Sequence, residues 1–236
     1  MTTGLSLRVA VIDYGAGNLA SIGQALTAVG ADVRLARTPS DLDGAEAMIV
    51  PGVGAAAPAM ARLARQRLTA PIERWIADGR PYLGICLGLQ LLFEGSDEDG
   101  ARTFAILRGR TERLEGAPTL PHIGWNQVVQ RRRHQLFDGV PDGANLYFVH
   151  SYAARPRAGD AASVLAETDH GRWFVSAVAR ENVLGVQFHP ERSGAAGLRI
   201  VGNFVRWASD LARDPGQPVQ RDTRPPVALV PGGGVV

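Results

Sequence analysis

The chain has 236 residues, 45% of them hydrophobic and 20% charged, with a formal net charge of +2. That size and balance fit one larger soluble globular domain or two small ones, and give no case for a nucleic-acid partner, which calls for a strong basic excess. No apolar run approaches the roughly 18 residues of a membrane span, no basic segment leads into a signal-type apolar core, and the single cysteine cannot form an internal disulfide. The expectation is a cytoplasmic protein with no membrane association.

In chain order, Leu7 to Ile12 reads as an apolar strand ending in the turn Asp13-Tyr-Gly-Ala-Gly-Asn18. Asn18 is placed to cap a helix over Leu19 to Val29, where Leu19, Ile22, Leu26 and Val29 recur at helical spacing. A glycine-rich turn between strand and helix suggests a dinucleotide site, but the third glycine is missing at its expected spacing, so the turn reads as structural or partner-facing. Ala31 to Ala36 and Ala47 to Val50 predict two more strands. The second closes on Pro51-Gly-Val-Gly54, a loop that can offer backbone N–H groups to an anion and that also fits a simple tight turn. Helices are predicted over Pro58 to Leu68 and Pro71 to Ala77, then a strand over Pro81 to Ile85 and a helix over Leu87 to Phe93. Strands alternating with helices imply a parallel sheet covered on both faces, with reactive loops at the carboxyl ends of its strands.

The acidic stretch from Glu94 to Gly100 reads, taken alone, as a solvated loop. From there the pattern changes to strands without long helices between them. They are Phe104 to Leu107, Gln127 to Gln130, Leu146 to Val149, Ser163 to Ala166, Trp173 to Val178 and Val183 to Phe188, with turn signals at Asp142-Gly143 and His170-Gly171. This predicts a mixed sheet extended by antiparallel strands, closed by a helix over Leu198 to Ala208. Arg131-Arg132-Arg133 reads as a solvated turn between two strands. His122, His134 and His170 have no metal-ligand spacing with each other or with Cys86, so neither metal nor cofactor is expected. His150 reads as a strand-end polar residue. From Asp214 the composition shifts to Pro, Gly, Gln and Arg without periodicity, which predicts one domain over residues 1–210 and a disordered tail over 211–236.

The chemistry centres on Cys86, flanked at two residues either side by Gly84 and Gly88. Gly-x-Cys-x-Gly between strand and helix has the form of a nucleophile elbow. A helix N-terminus favours thiolate, and the Leu87 N–H is free to face a developing oxyanion. A lone cysteine is otherwise commonly a small buried hydrophobe, so the elbow needs a base. His189 follows the last predicted strand, with Glu191 two residues on and Pro190 fixing the turn between them. His-Pro-Glu alone is weak evidence; with the elbow it supplies nucleophile, base and orienting acid.

Gly-Ile-Cys86-Leu-Gly with the distant Gln-Phe-His189-Pro-Glu191 resembles the triad-type, class I glutamine amidotransferase family. Within that family, Asp13 to Asn18, Pro51 to Gly54, Pro121-His-Ile-Gly-Trp-Asn126 and Tyr147-Phe-Val-His-Ser-Tyr152 resemble the glutaminase-subunit branch of imidazole glycerol phosphate synthase, from histidine biosynthesis. The resemblance runs from about Leu7 to about Ala208. It implies an α/β fold with a flavodoxin-like, mostly parallel sheet flanked by helices. It implies hydrolysis of glutamine to glutamate and ammonia by Cys86, His189 and Glu191, with an oxyanion site from Gly52, Val53 and Leu87. Gln90 and Glu98 would hold the substrate glutamine, Glu98 taking its α-amino group, with further contacts from His150, Ser151 and Tyr152. Trp125 and Asn126 would lie at the ammonia exit and partner interface. The implied partner in a heterodimer is a (β/α)8-barrel cyclase, which uses the ammonia to form imidazole glycerol phosphate and aminoimidazole carboxamide ribotide. A subunit of another synthase, such as pyridoxal phosphate synthase, is disfavoured by Pro121 to Trp125 and Asp13 to Asn18. A non-catalytic binding module is disfavoured by the intact Cys86, His189 and Glu191.

Overall fold

Alternating apolar side chains in the first strands decide the architecture. In the computed structural model, which describes residues 6–213, β1 (Arg8–Ile12) sends Val9 and Val11 to one face and Ala10 and Ile12 to the other. With both faces apolar, both must be covered. α1 (Leu19–Ala28) and α5 (Gly194–Arg213) cover the first with Ile22, Leu26, Ile200, Phe204 and Trp207. α2 (Ala56–Arg65) and α3 (Thr69–Ala77) cover the second with Leu63, Ile72 and Trp75. Burying each such side chain stabilises the fold by about 1.5–3 kcal/mol.

β2 (Asp32–Ala36), β3 (Ala47–Val50), β4 (Tyr82–Ile85) and β11 (Val183–Val186) join β1 in parallel, in the order β2-β1-β3-β4-β11. The sheet then continues antiparallel through β10 (Trp173–Arg180), β9 (Val164–Asp169), β6 (His122–Gln130) and β7 (Ala144–His150). This is the expected mixed sheet. The chain leaves β1 toward β2 on one side and β3 on the other, and ligands of such sheets gather at the carboxyl ends near that reversal. Of the tail expected over 211–236, residues 211–213 complete α5 and the rest lies outside the described residues.

Five expectations are corrected. α2 and α3 begin before Pro58 and Pro71, which occupy their first turns, where an N–H has no intrahelical acceptor and proline is tolerated. The helix after the elbow, α4 (Leu87–Gln90), spans four residues and stops well short of Phe93. Phe104 to Leu107 is irregular rather than a strand, and the two misreadings share one cause. The N–H groups of Phe104, Leu107 and Ala105 bond to the carbonyls of Leu91, Leu92 and Phe93, so the two segments satisfy each other. Two strands went unforeseen, β5 (Gly109–Arg113) and β8 (Tyr152–Pro156), which pair with each other in a two-stranded sheet of their own. The arginine run is no solvated turn. Arg131 pairs with Glu167 at 2.6 Å and lies over the Trp173 ring, while Arg132 donates to the Ala179 and Val164 carbonyls, tying the end of β6 to β9 and β10.

Candidate active site

Cys86 sits between β4 and α4 with φ 54° and ψ −107°, a backbone region that costs a non-glycine residue about 1–3 kcal/mol and persists only where the surroundings enforce it. The surroundings here are main chain. A Cβ on Gly88 would stand 1.8 Å from the Val50 carbonyl oxygen, and one on Gly84 2.4 Å from the Gly88 oxygen. Glycine at both positions lets the elbow press against β3 and β4 and holds Cys86 4% exposed.

His189 follows β11 and lies within the same group at the strand ends. Its N–H donates to the Tyr147 carbonyl at 2.8 Å, and its own carbonyl accepts from Ser193 Oγ at 2.6 Å. Pro190 opens a short 3₁₀ turn that returns Glu191 to the imidazole, and Nδ1–H donates to Glu191 Oε1 at 2.8 Å. Nε2 therefore faces away from Glu191, is buried and has no aligned partner among the described residues; Glu191 Oε2 is likewise unpartnered. Burial alone would lower the imidazolium, but attraction to Cys86 and Glu191 outweighs it and lifts His189 to about 10. The sulfur's aligned contacts are elsewhere: it accepts from Gln187 Nε2 at 3.5 Å and faces the Val149 carbonyl at 4.0 Å.

Of the residues expected at an oxyanion site, Gly52 and Leu87 meet, with one peptide turned opposite to expectation. The Leu87 N–H is taken by the carbonyl of Gly52 at 3.4 Å, so the Gly52–Val53 peptide presents its oxygen to the elbow where an N–H was expected. Behind it Tyr14, buried at the end of β1, donates its hydroxyl to the Pro51 carbonyl at 2.8 Å. Burial and the nearby charge of Cys86 push the Tyr14 phenol up, keeping it protonated as a donor. Val53 is 46% exposed on the loop's outer side.

The expected glutamine contacts divide. Gln90 is buried and its Nε2 is spent on the Tyr152 carbonyl at 2.9 Å and Gln187 Oε1 at 3.0 Å. His150 is buried with both ring nitrogens engaged, Nδ1 on the Tyr152 carbonyl at 2.9 Å and Nε2 on His122 Nδ1 at 3.1 Å. A carbonyl only accepts, so Nδ1 of His150 carries the proton and Nε2 accepts from His122. His122 Nε2 then accepts from Asn126 Nδ2 at 3.2 Å. Burial, foremost, lowers His150 to about 3 and His122 to about 4, so both rings are neutral. The side-chain contact expected of His150 with glutamine thus has no free nitrogen here. Ser151 accepts from the Leu114 N–H through its carbonyl, and Tyr152 acts through its carbonyl as the node for Gln90 and His150. Glu98 is exposed, with no hydrogen-bond partner for its carboxylate among the described residues, and partial burial together with the charge of Asp99 raises it. Trp125 stands 56% exposed and meets Tyr147 edge-on, while Asn126 also donates to the Asp169 carbonyl. Sequence reasoning missed Tyr14, His122 and Gln187 as members of the site. Gln187 could have been noticed as a polar residue inside the apolar run before His189.

Residues 10–207 match the model of the class-I glutamine amidotransferase family. The chain is 46% identical over 205 residues to an imidazole glycerol phosphate synthase subunit HisH from Symbiobacterium thermophilum, covering 86% of this chain and 96% of that protein. It is 44% identical over 207 residues to the HisH subunit from Aquifex aeolicus, covering 87% and 99%. Among solved structures, PurLQS from Thermotoga maritima shares the fold at TM-score 0.68 and 19% identity, covering 86% of this chain and 99% of that one. A glutamine amidotransferase from the same organism does so at TM-score 0.57 and 17% identity, covering 91% and 88%. With its elbow, its His-Pro-Glu turn and these likenesses over nearly its whole described length, the chain belongs to the class I glutamine amidotransferases and, within them, to the HisH family of imidazole glycerol phosphate synthase subunits.

Proposed function

We propose that the chain hydrolyses glutamine through Cys86 and passes the ammonia to a docked (β/α)8-barrel cyclase that makes imidazole glycerol phosphate and aminoimidazole carboxamide ribotide. The observation that carries this reading is the buried His189–Glu191 pair, 2.8 Å apart, held up at about 10 beside the sulfur of a backbone-strained cysteine. The reactive form is Cys86 as thiolate with His189 as imidazolium. The thiolate attacks the side-chain amide carbon. His189 Nε2–H then protonates the nitrogen, the C–N bond breaks, and ammonia leaves a thioester. The now neutral imidazole takes a proton from water, the hydroxide attacks the thioester carbon, and the thiolate is expelled with glutamate as product. Glu191 holds Nδ1–H throughout, which fixes the ring and stabilises its charged form.

Turnover also requires the Gly52–Val53 peptide to turn over, since its carbonyl now occupies the Leu87 N–H. Turning it would free that donor and bring the Val53 N–H beside it. One missing oxyanion donor costs about 10²–10³ in rate, so the chain alone is a slow glutaminase. Val53 is exposed, and Ile123 and Trp125 are exposed apolar residues on β6, whose partner β7 supplies the carbonyl held by His189. A partner seated there could press on the loop. Ammonia in open water protonates and is lost as a nucleophile, which supports a docked receiver. The test is glutamine hydrolysis by the purified chain, alone and with the cyclase plus its ribonucleotide substrate. Stimulation of about 10²-fold or more is expected; high activity alone, unchanged by the cyclase, would refute the gated loop and the assigned partner.

A further inference from the structure

Gln187 is fully buried two residues before His189, and no step above uses it. Its amide lies between the nucleophile and Gln90, with Nε2 donating to Cys86 Sγ at 3.5 Å and Oε1 accepting from Gln90 Nε2 at 3.0 Å. Which end of a glutamine amide is nitrogen is decided by its partners, and here a main-chain carbonyl decides it. The Tyr152 oxygen can only accept, so the end of Gln90 facing it at 2.9 Å is the NH₂. The same NH₂ meets Gln187, so Gln187 turns its oxygen to Gln90 and its own NH₂ to the sulfur. Reversing either amide would set like atoms against each other at hydrogen-bond distance.

We propose that Gln187 is a catalytic residue that holds the Cys86 sulfur as thiolate by donating an amide N–H, with Gln90 the positioning residue that keeps that amide turned. An N–H donor bonds an anionic sulfur more strongly than a thiol, because only the former bond is charge-assisted. The Val149 carbonyl on the other contact is the acceptor a thiol proton would use, so the two neighbours favour opposite protonation states and Gln187 is the one that favours the nucleophile. Its role differs in kind from that of His189. The imidazolium gives its proton away during the reaction, whereas the amide keeps its own and supports the sulfur both when it attacks and when it is expelled. It also explains why Gln90, expected to hold substrate, spends its NH₂ inside the protein.

The role in turnover rests on the glutaminase reading; the effect on the sulfur does not, and the experiment separates them. Alkylation of Cys86 by iodoacetamide is a displacement at carbon that needs no oxyanion site, so it reads the nucleophile in the chain alone. Gln187→Met keeps the volume and removes the donor. Its alkylation rate at neutral pH is expected to fall about tenfold, with the rate–pH curve moved to higher pH and the alkaline plateau little changed. Gln90→Met, which frees the amide to rotate, should shift the curve the same way by less. In the cyclase complex Gln187→Met should lower kcat with KM for glutamine within about twofold. A Gln187→Met protein that is folded by circular dichroism and shows the wild-type alkylation curve overturns the proposal. If that variant does not fold, a wild-type curve for Gln90→Met overturns it instead. Wild-type protein that alkylates with this dependence yet hydrolyses no glutamine supports the sulfur assignment while refuting the glutaminase.

Discussion

Replacing Gly52 with alanine would place a Cβ 2.1 Å from Tyr14 Oη and 2.9 Å from Leu87 Cβ. Non-bonded heavy atoms rest about 3.5 Å apart, so more than about 1 Å of movement is needed. Tyr14 cannot supply it, being 2% exposed with its hydroxyl held by Pro51, and Leu87 is fixed beside the nucleophile. The loop itself must move, at about 1–3 kcal/mol for an overpacked site. For a chain of this size that lowers Tm by about 2–12 °C. Tyr14→Phe alone leaves the Pro51 carbonyl without its donor, costing about 1–3 kcal/mol. In the double variant the oxygen that the new Cβ would strike is gone, so the combined loss should fall short of the sum by about 1 kcal/mol or more. Urea denaturation of the four proteins measures this coupling. Additivity within about 0.5 kcal/mol would refute the claim that Tyr14 limits position 52. With the cyclase bound, Gly52→Ala should also lose the stimulated turnover, since a displaced loop cannot bring the Val53 N–H beside that of Leu87.

The other predictions concern His189 and the elbow. Its folded value of about 10 stands above the ordinary 6.5, so the stability it carries is complete below pH 6.5 and drains away as pH rises through about 10. Cys86→Ala removes one of the two attractions that overcome burial, so the imidazole resonance, assigned with His189→Gln, should titrate lower and that window should narrow; identical titrations would sink the thiolate–imidazolium pairing. Gly88→Ala sets a Cβ 1.8 Å from a main-chain oxygen of β3 that cannot retreat without parting the sheet. A loss of about 3 kcal/mol or more is expected, and a Tm within about 2 °C of wild type would contradict the packing described for the elbow.

Sequence reading succeeded where local pattern and tertiary demand coincide. β1, β3, β4 and β11 are short apolar runs because both their faces are buried, and the Cys86 elbow and His-Pro-Glu turn carry their geometry in adjacent residues. It failed where distant segments complete each other. β5 and β8 are polar or alanine-rich, Gly-Arg-Thr-Glu-Arg and Tyr-Ala-Ala-Arg-Pro, and are strands only because they find one another. The elbow helix stops short of Phe93 where the carbonyls of Leu91, Leu92 and Phe93, just past its end, bond to residues 104–107, a pairing local propensity cannot foresee. The short helix also weakens the dipole argument for the thiolate, leaving the imidazolium and the Gln187 amide as its nearer supports. Gln187 and Gln90 lie 97 residues apart in the chain, and Gln187 and Cys86 101 apart, so their meeting is a property of the β4–β11 pairing rather than of any motif.

The single bond from Leu87 to the Gly52 carbonyl bears on supply inside a cell. If turnover waits on that peptide, as proposed above, a chain made in excess of its partner hydrolyses glutamine only slowly, so surplus copies drain little of the glutamine pool and release little ammonia that nothing captures. Because the block is the orientation of one peptide rather than a covalent modification, it needs no second enzyme to set or lift it. Output then follows the number of assembled complexes, and strict matching of the two subunits' synthesis becomes unnecessary.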